Sequence, residues 1–179
     1  MKKINVPTRD QVSEDSQQIF DVIQKSVGKV PNLYAAIGYS AKALKGYLDY
    51  NQILNNGVFN AKEREAVSLA VSEVNTCTYC LSAHTMGALK LGYTQEETIA
   101  IRKGEVSDPS LNAIVQLARA IVIDKGHVDP TLVDRFFEAG YKENALLELA
   151  GLVAARTFTN YAYALTDVPV DFPVVEPLK

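Results

Sequence analysis

The chain has 179 residues, 47% of them hydrophobic and 22% charged, with a net charge of −3. That length suits one domain with a core of its own and leaves little room for two. The acidic balance argues against nucleic acid as a partner, because phosphate binding needs clustered Lys and Arg, and the longest basic run is Met1-Lys2-Lys3. Nothing at the N-terminus resembles the apolar stretch of a secretion signal, and no segment approaches the ~20 apolar residues of a membrane helix. We therefore expect a cytoplasmic protein without membrane contact.

Helix punctuation recurs along the chain and strand signals are weak. Ser13 to Val27 carries Ile19, Phe20, Ile23 and Val27 at helical spacing and stops at Gly28. Pro31 and Asn32 open a short helical piece to Ile37. Ser40 can cap a helix to about Leu54, before the turn Asn55-Asn56-Gly57. Asn60 caps the next, with Glu63 placed to complete a capping box, and that helix runs to about Val74. Asn75 or Thr76 restarts a helix that ends before Gly92. Thr94 and Glu97 form another capping box, and Gly104 ends that helix. Asp108-Pro109 and Asp129-Pro130 each pair a cap with a first-turn proline. A long helix follows from about Lys142 to Leu165. The prolines of Val168-Pro169-Val170-Asp171-Phe172-Pro173 force an extended tail. Its apolar residues predict that it is strapped to the chain's own body or to a neighbouring subunit. The expected fold is one all-α domain, residues 1–179, a bundle of about eight helices.

The chemistry is concentrated between Glu65 and Gly92. Cys77, Cys80 and His84 have the pattern C-x-x-C-x-x-x-H. At about 100° per helical residue the three fall within roughly a 60° arc and can face one pocket. Tyr79 falls nearly opposite and is expected to face elsewhere. Cys77, at the helix start, gains from unpaired N–H groups and the dipole, which favour a thiolate. His84 follows Cys80 by one turn and can take its proton. Two cysteines one turn apart close almost no loop, so a bridge between them would add little stability. In a reducing compartment such a pair is more often catalytic or metal-binding than a structural staple.

Other readings of these residues exist. Cys77, Cys80 and His84 could be core residues only. With His127 they could hold zinc, although His127 follows Gly126 in a turn with no ligand spacing around it. Glu65, Ser68 and Ser72 form a narrow polar stripe on the preceding helix, ordinarily a solvated face. The functional alternative turns Glu65 toward the cysteines as a proton relay, directly or through His84, with Glu73 the competing carboxylate.

At this stretch the sequence resembles the alkylhydroperoxidase D-like, or carboxymuconolactone decarboxylase, family. The match is E-x(11)-C-x-x-C-x-x-x-H, met by Glu65, Cys77, Cys80 and His84, and continues through AHTMGALKLGYTQEET. It covers about 51–104, and the NYAYALTDVPVDFP tail, running on to 179, is similar to the longer peroxidase-related branch. The resemblance implies an alkylhydroperoxidase D-like helical fold and trimers or hexamers; we expect no cofactor and no metal. It also implies a peroxidase cycle. Cys80 attacks a hydroperoxide, Cys77 resolves the sulfenic acid as a disulfide, and His84 and Glu65 relay the proton. An external dithiol, such as a lipoylated carrier protein, then restores the thiols, with a peroxiredoxin as a further partner. Helix position favours Cys77 as the more acidic thiol; the family role and the adjacent His84 put the attack on Cys80. The chain departs from members with a histidine between the cysteines, having Tyr79 there. Two other functions are open: a cofactor-free decarboxylase or isomerase on the same fold, and a non-catalytic stress protein sensing redox state. Tyr34, Tyr39, Tyr47, Tyr50, Tyr161 and Tyr163, near expected helix ends, hint at interfaces or half-buried core.

Overall fold

In the computed structural model, which describes residues 4–178, nine α-helices follow a short 3-10 turn over Arg9–Gln11. Met1-Lys2-Lys3 lies outside the described residues. The helices are α1 (Glu14–Val27), α2 (Asn32–Ile37), α3 (Ala41–Asn55), α4 (Ala61–Val74), α5 (Thr78–Lys90), α6 (Gln95–Lys103), α7 (Pro109–Ile123), α8 (Pro130–Glu138) and α9 (Glu143–Thr166). No strand occurs among the described residues. No helix among them is long and apolar enough to cross a membrane.

The boundaries follow the local chemistry. Ser13 and Ser40 accept from Ser16 N–H and Ala43 N–H. Reciprocal capping boxes form at Asn60/Glu63 and Thr94/Glu97, each satisfying two otherwise orphaned N–H groups. Asp108 and Asp129 cap the two helices that open on proline. Gly28 and Gly104 end α1 and α6 in the left-handed conformation, at φ of 85° and 80°.

The body is organised around α4, which packs against α5, α6, α7 and α9. Every residue from Ala66 to Ser72 is buried, so α4 has no solvated stripe along that stretch. Small side chains at Ala66, Ser68, Ala70 and Ser72 let neighbours approach on all sides. Three apolar clusters result. One joins Val67 and Val71 to α7, α8 and α9 around Phe59, Phe136 and Leu149. Another joins Leu69 and Ala70 to Leu81, Ile101 and Val115. The third sits under α1–α3 and includes Phe20, Leu33 and Leu44 with Cys77, Tyr79, Cys80 and Val168. Each fully buried Leu or Phe contributes about 1.5–3 kcal/mol against remaining in water.

The tail is extended and lies on the chain's own body. Val168 is buried, Asn32 Nδ2 donates to the Pro169 carbonyl at 3.0 Å, and Val175 N–H donates to Ser82 Oγ at 2.9 Å. Further along, Arg102 Nη2 donates to the Glu176 carbonyl and Leu178 N–H to Glu73 Oε1. The tail thus crosses the start of α5, the segment that carries the cysteines.

Candidate active site

The α4–α5 junction sets the cysteines in place. Asn75 closes α4, and Thr76 takes φ of 50°, a left-handed geometry that a β-branched residue rarely adopts. Cys77 N–H then donates to the Ser72 carbonyl at 2.9 Å. The helix restarts later than Asn75 or Thr76: Cys77 is itself the N-cap, and its Sγ accepts from Cys80 N–H at 3.3 Å. Cys77 and Cys80 are disulfide-bonded across this first turn, with Cα atoms 5.3 Å apart. Asn75 Nδ2 donates to Asn160 Oδ1, and Asn160 Nδ2 to Ser72 Oγ, so α9 ties the junction down.

A cleft of about 250 Å³ opens beside Cys80. Its polar wall holds Cys80, His84, Glu65 and Thr159; its apolar wall holds Leu33, Pro31, Val27 and Phe172; and Tyr34, Tyr47 and Tyr79 complete it. Cys77 does not line it. A larger groove of about 470 Å³ between α7 and α8 holds neither a cysteine nor a histidine.

His84 Nδ1 and Glu65 Oε2 are 2.8 Å apart, bridging α5 and α4. Burial alone would push the Glu65 carboxyl up. The adjacent His84, through charge and hydrogen bond, with Arg156 and Arg64 beyond it, holds that carboxyl below its ordinary 4.5. Gly87 on α5 admits the Glu65 carboxylate closely: a Cβ there would stand 3.2 Å from the carboxyl carbon, so the carboxylate would have to give way slightly. The polar stripe of α4 is not solvated. Ser68 and Ser72 are fully buried because α9 covers them, and Ser68 Oγ accepts from Arg156 Nε at 2.7 Å. Glu73 is engaged elsewhere: its Oε2 pairs with Arg102 Nε at 2.6 Å, and its other oxygen takes the tail's Leu178 N–H.

Tyr79 corrects the expectation that it would face away. It lines the cleft, because the cleft lies across the start of α5, where side chains from both sides of the first turn reach it. Its hydroxyl donates to Asp171 Oδ1 at 2.6 Å and accepts from Leu33 N–H at 3.1 Å. Burial, then the bond to Asp171, pushes that hydroxyl well above the ordinary tyrosine range. For Asp171 itself, burial pushes the carboxyl up, but bonds from Tyr79, Lys29 and Asn32 N–H outweigh it and hold the carboxyl below 3.8. Phe172 stands edge-on to the Tyr79 ring, centroids 5.5 Å apart, with Lys29 Nζ 4.4 Å from the Phe172 centroid.

The zinc arrangement is not assembled. His127 sits exposed in the turn after α7, and among the described residues no group of three or more His, Cys, Asp or Glu is placed to hold a metal ion. Spacing within the motif could not reveal Arg156, Tyr47, Asn51 or the tail residues Asp171 and Phe172. A signal for Arg156 was present, a lone cation on the helix face of Leu149, Leu152, Val153 and Asn160.

A helical bundle with a Cys-x-x-Cys pair at a helix start and a His–Glu pair beside it defines a class. Residues 41–124, a little under half of the chain, match the carboxymuconolactone decarboxylase family model. The uncharacterized protein YdfG of Bacillus subtilis (strain 168) is 25% identical over 85 residues, which are 46% of this chain and 58% of that protein. The chain thus spans little more than half the length of that relative. The debrominase Bmp8, in a complex with 2,3,4-tribromopyrrole, shares the fold at a TM-score of 0.79 and 18% identity, over 96% of this chain and 92% of its own. An uncharacterized peroxidase-related protein from Ralstonia eutropha JMP134, an alkylhydroperoxidase AhpD core, superposes with a TM-score of 0.79 at 19% identity, over 89% and 87% of the two chains. A peroxidase-related protein from Silicibacter sp. TM1040 gives 0.75 at 17% identity over 97% and 93%.

Proposed function

We propose that the chain is a thiol-dependent peroxidase that reduces hydroperoxides at Cys80. The observation that carries this reading is the arrangement at the cleft: Cys80 borders it, Cys77 stands bonded behind, and His84, one turn on, meets Glu65 at 2.8 Å. His84 takes the Cys80 proton, with Glu65 orienting the ring and balancing its charge. The thiolate attacks the peroxide; an S–O bond forms, the O–O bond breaks, and the proton passes to the departing alkoxide. The products are Cys80 sulfenic acid and an alcohol. The Cys77 thiol then displaces water to give the disulfide, and an external dithiol such as a lipoylated carrier returns both thiols, with a peroxiredoxin as a further partner.

The test is a count of free thiols in the reduced protein before and after one equivalent of cumene hydroperoxide. Loss of both to a dithiol-reversible bridge, with a sulfenic acid trapped in Cys77→Ser, is expected. Trapping only in Cys80→Ser would reverse the two roles. An unchanged count would remove peroxide as the substrate, leaving the decarboxylase or redox-sensor functions.

A second reading is favoured by the apolar and aromatic cleft walls together with the fold shared with a debrominase. The same dithiol can reduce an aryl bromide, giving the arene, hydrogen bromide and the disulfide. Bromide release from a brominated pyrrole distinguishes it. Self-association belongs to the proposal as well. Leu147, Ala150, Ala154, Phe158, Tyr161 and Leu165 form an exposed apolar row along α9, which a second copy would cover. Light scattering of Leu147→Glu/Leu165→Glu beside the wild type tests it; equal masses would refute it.

A further inference from the structure

Arg156 is a cation withdrawn from water, 5% exposed near the middle of α9. A buried guanidinium ordinarily meets a carboxylate, since an unpaired charge is costly to bury. Here its hydrogen-bond partners are neutral, and the Glu65 carboxylate feels its charge only from beyond bonding distance. Nε donates to Ser68 Oγ at 2.7 Å, and Nη1 donates to Asn51 Oδ1 at 2.7 Å and to the Tyr47 hydroxyl at 3.3 Å. Among the described residues it forms no ion pair. Tyr47 is 8% exposed and walls the same cleft as Cys80 and His84. Its ring is held between Tyr34 and Phe158, with centroids at 5.8 and 5.6 Å. Its oxygen accepts from the guanidinium, and the Tyr34 hydroxyl, on the same cleft wall, stands beside it as a second hydrogen-bonding neighbour. A buried phenol at the substrate cleft thus has a cation behind it and a hydroxyl proton that the cation does not engage.

We propose that Tyr47 is a catalytic residue that donates a hydrogen bond to the leaving oxygen of the hydroperoxide, with Arg156 as the positioning residue that holds and polarises it. The inference rests on the peroxidase reading above. When the Cys80 thiolate forms the S–O bond and the O–O bond breaks, sulfur gives up two electrons and negative charge gathers on the departing oxygen. Tyr47 keeps its own proton; the proton that neutralises the alkoxide is the one His84 took from Cys80. A hydroxyl that accepts from a cation donates more strongly, because chains of hydrogen bonds polarise one another. A fixed donor aimed at developing charge in a site shielded from water accelerates the step at no reorganisation cost. The cleft, about 250 Å³ and walled by Leu33, Pro31 and Phe172, suits an organic hydroperoxide with one small apolar group or ring.

Tyr47→Phe keeps the ring and removes only the donor. Two peroxides are compared: tert-butyl hydroperoxide, which releases a strongly basic alkoxide, and peracetic acid, which releases a carboxylate that disperses its own charge. The variant is expected to lose about 10–100-fold in kcat/KM with the first and less than about 3-fold with the second. Alkylation of reduced Cys80 by iodoacetamide should keep its wild-type rate. Arg156→Lys, which retains the charge but not the fork, is expected to show the same leaving-group dependence in weaker form. It should add little to Tyr47→Phe in the double variant, because the two act as one unit. Equal losses with both peroxides, or no loss, would overturn the proposal while wild-type turnover leaves the peroxidase reading standing. A wild type that consumes neither peroxide ends that reading, and this proposal with it.

Discussion

Tyr79→Phe separates a structural anchor from a proton donor at the position between the two cysteines. The substitution removes one oxygen with two bonds: the 2.6 Å bond to Asp171 and the 3.1 Å bond from Leu33 N–H. Leu33 is 2% exposed, so its N–H loses its partner where water cannot replace it, at a cost of about 1–3 kcal/mol. Asp171 keeps Lys29 and Asn32 N–H and is partly wetted, so its loss is smaller, about 1 kcal/mol. The extra apolar character of Phe offsets a fraction, leaving about 2–3 kcal/mol and a fall in Tm of roughly 5–10 °C for a chain of this size. Thermal and urea unfolding with the disulfide intact would measure it. Asp171 has its carboxyl held low, so the stability it confers is present above 3.8 and is lost as pH falls through the lower folded value. The gap between wild type and variant should therefore narrow below about pH 3.8. Peroxide turnover should stay within about threefold, since the Tyr79 proton is committed to Asp171 and its hydroxyl is raised well above the ordinary range. A loss of stability under about 0.5 kcal/mol would refute the anchor reasoning. A large loss of turnover at unchanged stability would make Tyr79 the proton donor instead.

Three further outcomes follow from the same geometry. Glu65→Gln keeps a hydrogen-bond acceptor for His84 but removes the charge, and turnover should fall roughly tenfold, the difference between charged and neutral bonds. Because the Glu65 carboxyl is held below 4.5, its stabilisation is present above that value and lost as pH falls through the folded one; the Gln variant should lack that acid transition in a pH series of melts. Gly87→Ala should leave stability within about 1 kcal/mol, since helix propensity offsets the crowding. Its Cβ would press the Glu65 carboxylate from 3.2 Å, and turnover should drop severalfold; unchanged kinetics would show that the close approach is not required. Glu73→Ala leaves Arg102, whose side chain is 4% exposed, as a buried cation with the Glu176 carbonyl as its one remaining partner among the described residues. We expect roughly 3–5 kcal/mol lost in urea titrations, and a loss under about 1 kcal/mol would refute the ion pair as a tail anchor.

What the sequence determined by itself is local. Helix ends are written in residues that meet their own backbone within a turn, as Asn60 with Glu63 and Thr94 with Glu97 do. The shared face of Cys80 and His84 follows from helical period alone, and the prolines after α9 dictate an extended tail. Tertiary structure decided which partner each polar group meets. Spacing left Glu65 and Glu73 equivalent; the approach of α5 at Gly87 and of Arg102 on α6 separated them. It also buried the Ser68–Ser72 stripe, because α9 returns 88 residues later with Arg156 and Asn160 on its inner face. Tyr79 was turned to the cleft's account by Asp171, 92 positions along the chain. Such contacts depend on where helices dock, and docking is set by the summed burial of many side chains rather than by any residue's neighbours in sequence.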